Sequence, residues 1–266
     1  MKRSTTIDSP DSPSHAGTSG SPGVSDSSLA GKPKYEFGFH IMGPILAECC
    51  DALQRELARQ RRRPDPAEVL FCARGGLVIR RSLELYLEAT QPLIECLGQN
   101  FMISRLAAAR LAYNSKQPSI QHLLALEFEG RSCEQVAAAL SQEPVDEGAT
   151  WSMPYSYQHL RELLNNTERG RALRARIEHQ AMHLRQHINT LAAGSSPLCL
   201  VDTGVFGSIG HYLSIGLPKR HVHMAMLFRA NYKGVDISNK TELSAAICHS
   251  DHYNACLLYT SDAADE

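Results

Sequence analysis

Apolar residues recur at helical spacing through Ile45, Leu46, Cys49, Ala52, Leu53 and Leu57, which predicts a helix from Ile41 to Arg61. Pro44 suits its first turn, and Pro64 and Pro66 stop it. Glu68 to Ala73 is a short apolar run of β-formers, the pattern of a central parallel strand. It breaks at Arg74-Gly75-Gly76, and an apolar helix from Leu77 to Ala89 follows. Phe101-Met102-Ile103 predicts a further strand, ending at Ser104-Arg105 before a helix from Leu106 to Tyr113. Residues 118 to 193 read as largely helical, with segments at Ser119–Glu129, Cys133–Leu140, Tyr157–Asn165 and Glu168–Ala192. Asn166 and Thr167 are the capping candidates for the last of these, and Glu143–Tyr155 reads as a loop holding the one tryptophan, Trp151. Ser196 to Asp202 predicts a buried strand, followed by a glycine turn and a helix from Ile209 to Gly216. In Arg220 to Asn231, Val222, Met224, Met226 and Phe228 alternate with His221, His223, Ala225 and Leu227, which predicts a strand with His221 and His223 at exposed or edge positions.

Three predicted strands thus end in polar or glycine residues and pass into helices. In a parallel α/β sheet such ends share one side, the carboxyl edge, where ligands bind. The expected fold is α/β, a Rossmann-like parallel sheet flanked by helices, with a helical insertion around 118–193. One main domain is expected over 35–253. Residues 1–34 are rich in Ser, Pro, Gly, Thr and Asp and predict a disordered tail. Asp8, Asp11 and Asp26 disfavour a transit peptide there. Residues 254–266, beginning Asn254-Ala255-Cys256-Leu257-Leu258-Tyr259, follow no structural pattern. They read as a translated adapter sequence, so the expectation is a chain truncated at that point.

Composition narrows the function classes. The 266 residues are 43% hydrophobic with a net charge of −1, which gives no global attraction to nucleic acid or an anionic membrane. No apolar run has transmembrane length. The eight cysteines form no CxxC pair and sit in apolar patterns, which predicts buried thiols in a reduced, cytoplasmic setting. His179, His183 and His187 recur at helical spacing, but opposite the apolar stripe and without a completing carboxylate or cysteine. They read as a solvent-facing row rather than a metal site. Arg61-Arg62-Arg63 reads as a solvated helix end.

The candidate chemistry lies at the strand ends: Arg74, Gly75, Gly76, Ser104, Arg105, Asp202, Thr203, Gly204, Gly207 and Ser208. Two arginines suit phosphate oxygens, which a guanidinium binds in a bidentate manner. Glycines let backbone N–H groups approach a ligand, and a helix start adds positive potential. Ser208 is a candidate to cap that helix or to bind a phosphate oxygen. Asp202 suits sugar hydroxyls or a Mg²⁺ ion. Arg229, near the end of its strand, is within reach of the same edge. No Walker A sequence, nucleophile elbow or strand-linked GxGxxG is present. Asp202-Thr203-Gly204 lacks the Asp-x-Asp pair of a haloacid-dehalogenase-type phosphatase.

Val69-Leu70-Phe71-Cys72-Ala73-Arg74-Gly75-Gly76-Leu77 resembles the strand and pyrophosphate loop of type I phosphoribosyltransferases. Leu200-Val201-Asp202-Thr203-Gly204-Val205-Phe206-Gly207-Ser208 resembles a shortened form of their ribose-phosphate loop. Together with Ser104-Arg105, the order also resembles phosphoribosyltransferase-like domains that occur in bacteria beside haloacid-dehalogenase-like or surface-polysaccharide proteins. The resemblance implies binding of phosphoribosyl pyrophosphate with Mg²⁺. Arg74, Gly75 and Gly76 would hold pyrophosphate, Asp202 the ribose hydroxyls, and Gly204, Gly207 and Ser208 the 5-phosphate. It implies a transferase of the pentosyl group or a non-catalytic domain that binds a phosphorylated sugar or nucleotide and reports to a protein partner or fused neighbour. The family's loop carries two adjacent acids where this chain has Asp202-Thr203.

Overall fold

The computed structural model describes residues 32–90, 97–145, 148–231, 233–237 and 241–250. Residues 1–31 of the predicted tail and the adapter-like segment 254–266 lie outside them. Two compact units divide at Met42. The first, by itself, holds helix α1 (Lys32–Phe37) and a π-helical turn over Gly38–Met42. Its helix begins slightly before the predicted end of the tail at 34. A Glu36–His40 pair at 2.9 Å and a Tyr35–Phe39 stack at 5.9 Å accompany the turn. Tyr35, Phe37, Phe39 and Ile41 are exposed.

The second unit is a Rossmann-like α/β fold. Its strands are β1 (Glu68–Cys72), β2 (Gln99–Phe101), β3 (Leu198–Asp202), β4 (Val222–Ala230) and β5 (Glu242–Ser250). All pair in parallel, in the order β2-β1-β3-β4-β5. The helices are α2 (Gly43–Arg61), α3 (Gly75–Thr90), α4 (Arg105–Ala112), α5 (Pro118–Glu127), α6 (Cys133–Ser141), α7 (Tyr157–Asn166), α8 (Glu168–Leu191) and α9 (Ser208–Gly216). Strand side chains alternate between two cores, as a period of two requires. Leu70, Cys72, Leu198, Leu200, Met224 and Met226 face one with residues of α4 to α9. Val69, Phe71, Cys199, Val201, Ala225 and Leu227 face the other with α2 and α3. Helices cover both faces, as parallel sheets demand.

From β1 the chain moves outward to β2 on one side, and then returns past β1 to β3 and on to β5. The order therefore reverses between β1 and β3. A crevice opens at such a switch point, outside the carboxyl ends of the strands. The helical insertion α4–α8 occupies the β2–β3 crossover. Thr167 caps α8, its hydroxyl accepting from the Gly170 amide at 2.9 Å.

Four expectations need correction. The strand after α3 covers Gln99–Phe101, not Phe101–Ile103, and Met102 is exposed at 69%. β2 is an edge strand that pairs only through these residues, and the Ile103 amide turns back to the Phe101 carbonyl at 2.9 Å. β4 is no half-exposed strand: it lies inside the sheet between β3 and β5, Val222 to Leu227 are buried with side chains in both cores, and His223 is fully buried, while Phe228 beyond them is exposed. β5 itself has no counterpart in the predicted elements. Arg63 does not simply end a solvated helix, because its Nη1 reaches Glu242 of β5 at 2.8 Å. The histidine row on α8 is exposed, with His179 and His183 Nε2 atoms 3.2 Å apart, and no group of three metal ligands occurs among the described residues. Cys49, Cys50, Cys72, Cys133 and Cys199 are buried free thiols. Among the described residues no helix is long and apolar enough to cross a membrane.

Candidate functional site

The loop after β1 and the turn after β3 meet at the switch point. Gly75 shows how closely: a Cβ there would lie 2.5 Å from Thr203 Oγ1 and 2.7 Å from Asp202 Oδ1. Only a glycine permits this approach. Gly76 faces the sheet instead, where a Cβ would collide with the Val201 carbonyl oxygen. Its role is close packing of α3 on the strands.

Arg74, between these glycines and β1, has φ of 62°. Left-handed backbone costs a non-glycine residue roughly 1–2 kcal/mol. The junction thus holds an arginine in an unfavourable conformation at the mouth of the crevice. Strain of this kind concentrates where function fixes a geometry.

Asp202 ends β3, half-buried, and accepts a hydrogen bond from the Thr203 amide at 2.8 Å. Burial raises its pKa above the usual carboxylate value, against the lowering influence of the Thr203 amide and hydroxyl, Arg105 and Arg74. Both arginines therefore lie within electrostatic reach of this carboxylate. Together they do not fully offset its loss of water.

The turn from Thr203 is held like a strand by the overhang of β4. The Phe228 amide donates to the Thr203 carbonyl at 3.3 Å, and the Ala230 amide to the Val205 carbonyl at 2.8 Å. Gly204 has φ of 79°, and a Cβ on it would lie 2.7 Å from Met226 and Phe228 atoms. Gly207, not Ser208, is the cap residue of α9. Ser208 is the first helical residue and is buried. Gly207 supplies no side-chain acceptor, so the first amides of α9 gain no capping bond from it. Ser104 does cap its helix, its hydroxyl accepting from the Ala107 amide at 3.1 Å.

Arg105 does not pair directly with Asp202. Its Nη1 lies 3.1 Å from both carboxylate oxygens of Glu127, the last residue of α5. Glu127 also meets Lys233 Nζ at 3.4 Å. Lys233 enters from the β4–β5 connection, with its ammonium 5.7 Å from the Phe206 ring centroid. Sequence reading missed Glu127 and Lys233. Neither sits at a strand end, and Lys233 lies 106 residues from its partner. A cavity of about 590 Å³, lined by Phe128, Arg131, Ser132, Glu134, Ser152 and Tyr155, opens next along the chain from Glu127.

The predicted residues thus form one neighbourhood at the switch point: Arg74 and Gly75 against Asp202 and Thr203, with Arg105 in range. Gly204, Gly207 and Ser208 form the turn beside them, while Gly76 and Ser104 have structural roles that account for their residue types. Comparison of the chain with protein-family models, curated proteins and solved structures finds no match.

Proposed function

We propose that this protein binds phosphoribosyl pyrophosphate, or a related phosphorylated sugar or nucleotide, at the carboxyl edge of its sheet. One observation carries the reading. Two arginines from different strand ends act on one under-compensated carboxylate, beside glycine turns, at the switch point. Clusters of perturbed carboxylates and cations in such a crevice are a common signature of ligand sites.

In this reading Arg74 and the Gly75 backbone take the pyrophosphate. Asp202 accepts from the ribose hydroxyls, and the Gly204–Ser208 turn takes the 5-phosphate. Mg²⁺ fits only as a companion of the diphosphate, because Asp202 supplies one carboxylate and no three-residue ligand group stands among the described residues. Bound there, the ion would neutralise charge on the leaving pyrophosphate.

As a transferase the protein would act by positioning and electrostatics. The bond between ribose C1 and the pyrophosphate oxygen breaks, and its electron pair leaves with pyrophosphate. An acceptor lone pair forms the new bond to C1 and the acceptor loses a proton. A non-catalytic binding domain is favoured by a different observation, the single acid of the turn.

Titration calorimetry with phosphoribosyl pyrophosphate and Mg²⁺ tests the binding claim. Heat is expected from the wild type and not from Asp202→Ala. No heat from either protein refutes the reading. Pyrophosphate release over a panel of bases and amines identifies a transferase, and binding without release identifies the non-catalytic domain.

A further inference from the structure

We propose that Glu127 is a positioning residue: it holds Arg105 and Lys233 as a cationic pair beside the Gly204–Ser208 turn, so that the pair grips the phosphate bound there. The inference rests on the phosphate reading of the site and adds two residues to it, Glu127 and Lys233.

Three elements bring the cluster together. Arg105 begins α4 after β2, Glu127 ends α5, and Lys233 follows β4. Both oxygens of Glu127 accept from Arg105 Nη1 at 3.1 Å, and one lies 3.4 Å from Lys233 Nζ. The Lys233 side chain is 9% exposed, so its ammonium has largely lost water. It lies over the ring of Phe206, within the turn itself. Glu127 thus gathers a guanidinium and an ammonium beside the turn, two donor groups of the kind that bind phosphate oxygens.

The surroundings extend this field. Tyr212 of α9 is fully buried with its hydroxyl unpartnered, and both Glu127 and Arg105 act on it. Arg105 also acts on Asp202, so the pair couples the turn to the ribose side of the site. A helix carboxyl end, where Glu127 stands, itself favours nearby cations.

The alternative role for Glu127 is simple neutralisation of two cations, and the two roles differ in sign. Removing a neutralising carboxylate makes the site more positive and tightens anion binding. Removing a positioning carboxylate loosens the cations and weakens it.

Calorimetry with ribose 5-phosphate reads this directly, with inorganic pyrophosphate as the probe for the Arg74 side. Glu127→Gln is expected to weaken ribose 5-phosphate binding about tenfold, the loss of one charge-assisted bond. Its pyrophosphate affinity should stay within about twofold, which loss of folding would not permit. Lys233→Met should weaken ribose 5-phosphate similarly, and the double variant should be no worse than the weaker single one. If Glu127→Gln does not fold, Glu127→Asp keeps the charge at shorter reach and should show an intermediate loss. Unchanged or tighter binding by the Glu127 variant overturns the inference alone. A wild type that binds neither ribose 5-phosphate nor pyrophosphate overturns the phosphate reading beneath it as well.

Discussion

Two charged clusters lie at opposite ends of the same sheet and behave in opposite ways. At the amino ends of β4 and β5, His223, Glu56 and Glu242 join Arg59, Gln60 and Arg63 of α2 and the loop after it. His223 Nε2 is 2.9 Å from Glu56, and Arg59 Nη2 is 2.8 Å from Glu56 and 2.9 Å from Glu242. Burial alone would raise the pKa of Glu56, but hydrogen bonds from His223, Arg59 and Gln60 hold it well below the carboxylate range. Burial likewise opposes Arg63 and Arg59 at Glu242, whose pKa falls to about 2. At the carboxyl edge the balance reverses, and burial lifts the Asp202 carboxyl despite two arginines.

The difference separates a structural network from a site. Both places gather acids and bases, so clustering alone decides nothing. Where the acids are fully served, their ionisation supports the fold. Where a carboxylate stays under-served beside a strained arginine, ionisation works against the fold, and a ligand's hydroxyls can complete the shell. The backbone agrees. α2 packs on β4 and β5 through ordinary helix residues, whereas the carboxyl edge depends on glycines and a residue with positive φ.

The sharpest way to break this comparison is Glu56→Ala. It strips His223 and Arg59 of their shared partner, and stability should fall by about 3 kcal/mol, the low end for a broken buried pair. Denaturant midpoints measure it, and ligand binding by the folded fraction should not change. An equal loss of binding would show that the two ends are not separate.

The next effect in size concerns pH. His211 on α9 is buried, its Nε2 3.0 Å from Ser119 Oγ, and burial lowers its pKa to about 4. The unfolded chain takes up the proton first, near pH 6.5, so stability is full above that value and falls as pH drops towards 4. The single group contributes roughly 3 kcal/mol of loss by pH 4. His211→Asn should flatten the melting curve's decline over that window, even though it costs some stability at pH 7. Glu242 acts in the same direction lower down, between about pH 4 and its folded pKa of about 2.

Gly75→Ala comes third. The added methyl must displace Thr203 Oγ1 and Asp202 Oδ1, so stability should fall by about 1–2 kcal/mol. Binding of phosphoribosyl pyrophosphate should fall by a larger factor than stability alone explains, measured by calorimetry on the folded protein. The smallest stability effect is Asp202→Asn, which removes an under-compensated charge. It should leave stability unchanged or raise it by up to about 1 kcal/mol at pH 7.

Much of this was legible in the chain. The junctions at Arg74, Ser104 and Asp202 are local patterns, and strand-turn-helix chemistry marks them without tertiary information. Helix limits such as Cys133 and Glu168 follow from spacing and caps. β5 escaped because its Glu242-Leu243-Ser244-Ala245-Ala246 stretch carries small residues with little periodicity, and among the described residues no helix stands between β4 and β5. His223 looked like a polar edge position because alternation cannot reveal that Glu56, far away in the chain, will neutralise its surroundings. Glu127 and Lys233 carry no local signal at all. Their meaning arises only when α5 and the β4–β5 connection arrive beside Arg105.

The separation of stability from binding at Asp202 tests the account most directly. Thermal melting of the wild type and Asp202→Asn at pH 7, each with and without phosphoribosyl pyrophosphate and Mg²⁺, gives both quantities in one experiment. The account predicts that the variant alone melts at the same temperature as the wild type or higher, and that ligand raises the melting temperature of the wild type only. A variant that melts lower without ligand, or a ligand that shifts both proteins equally or neither, contradicts it.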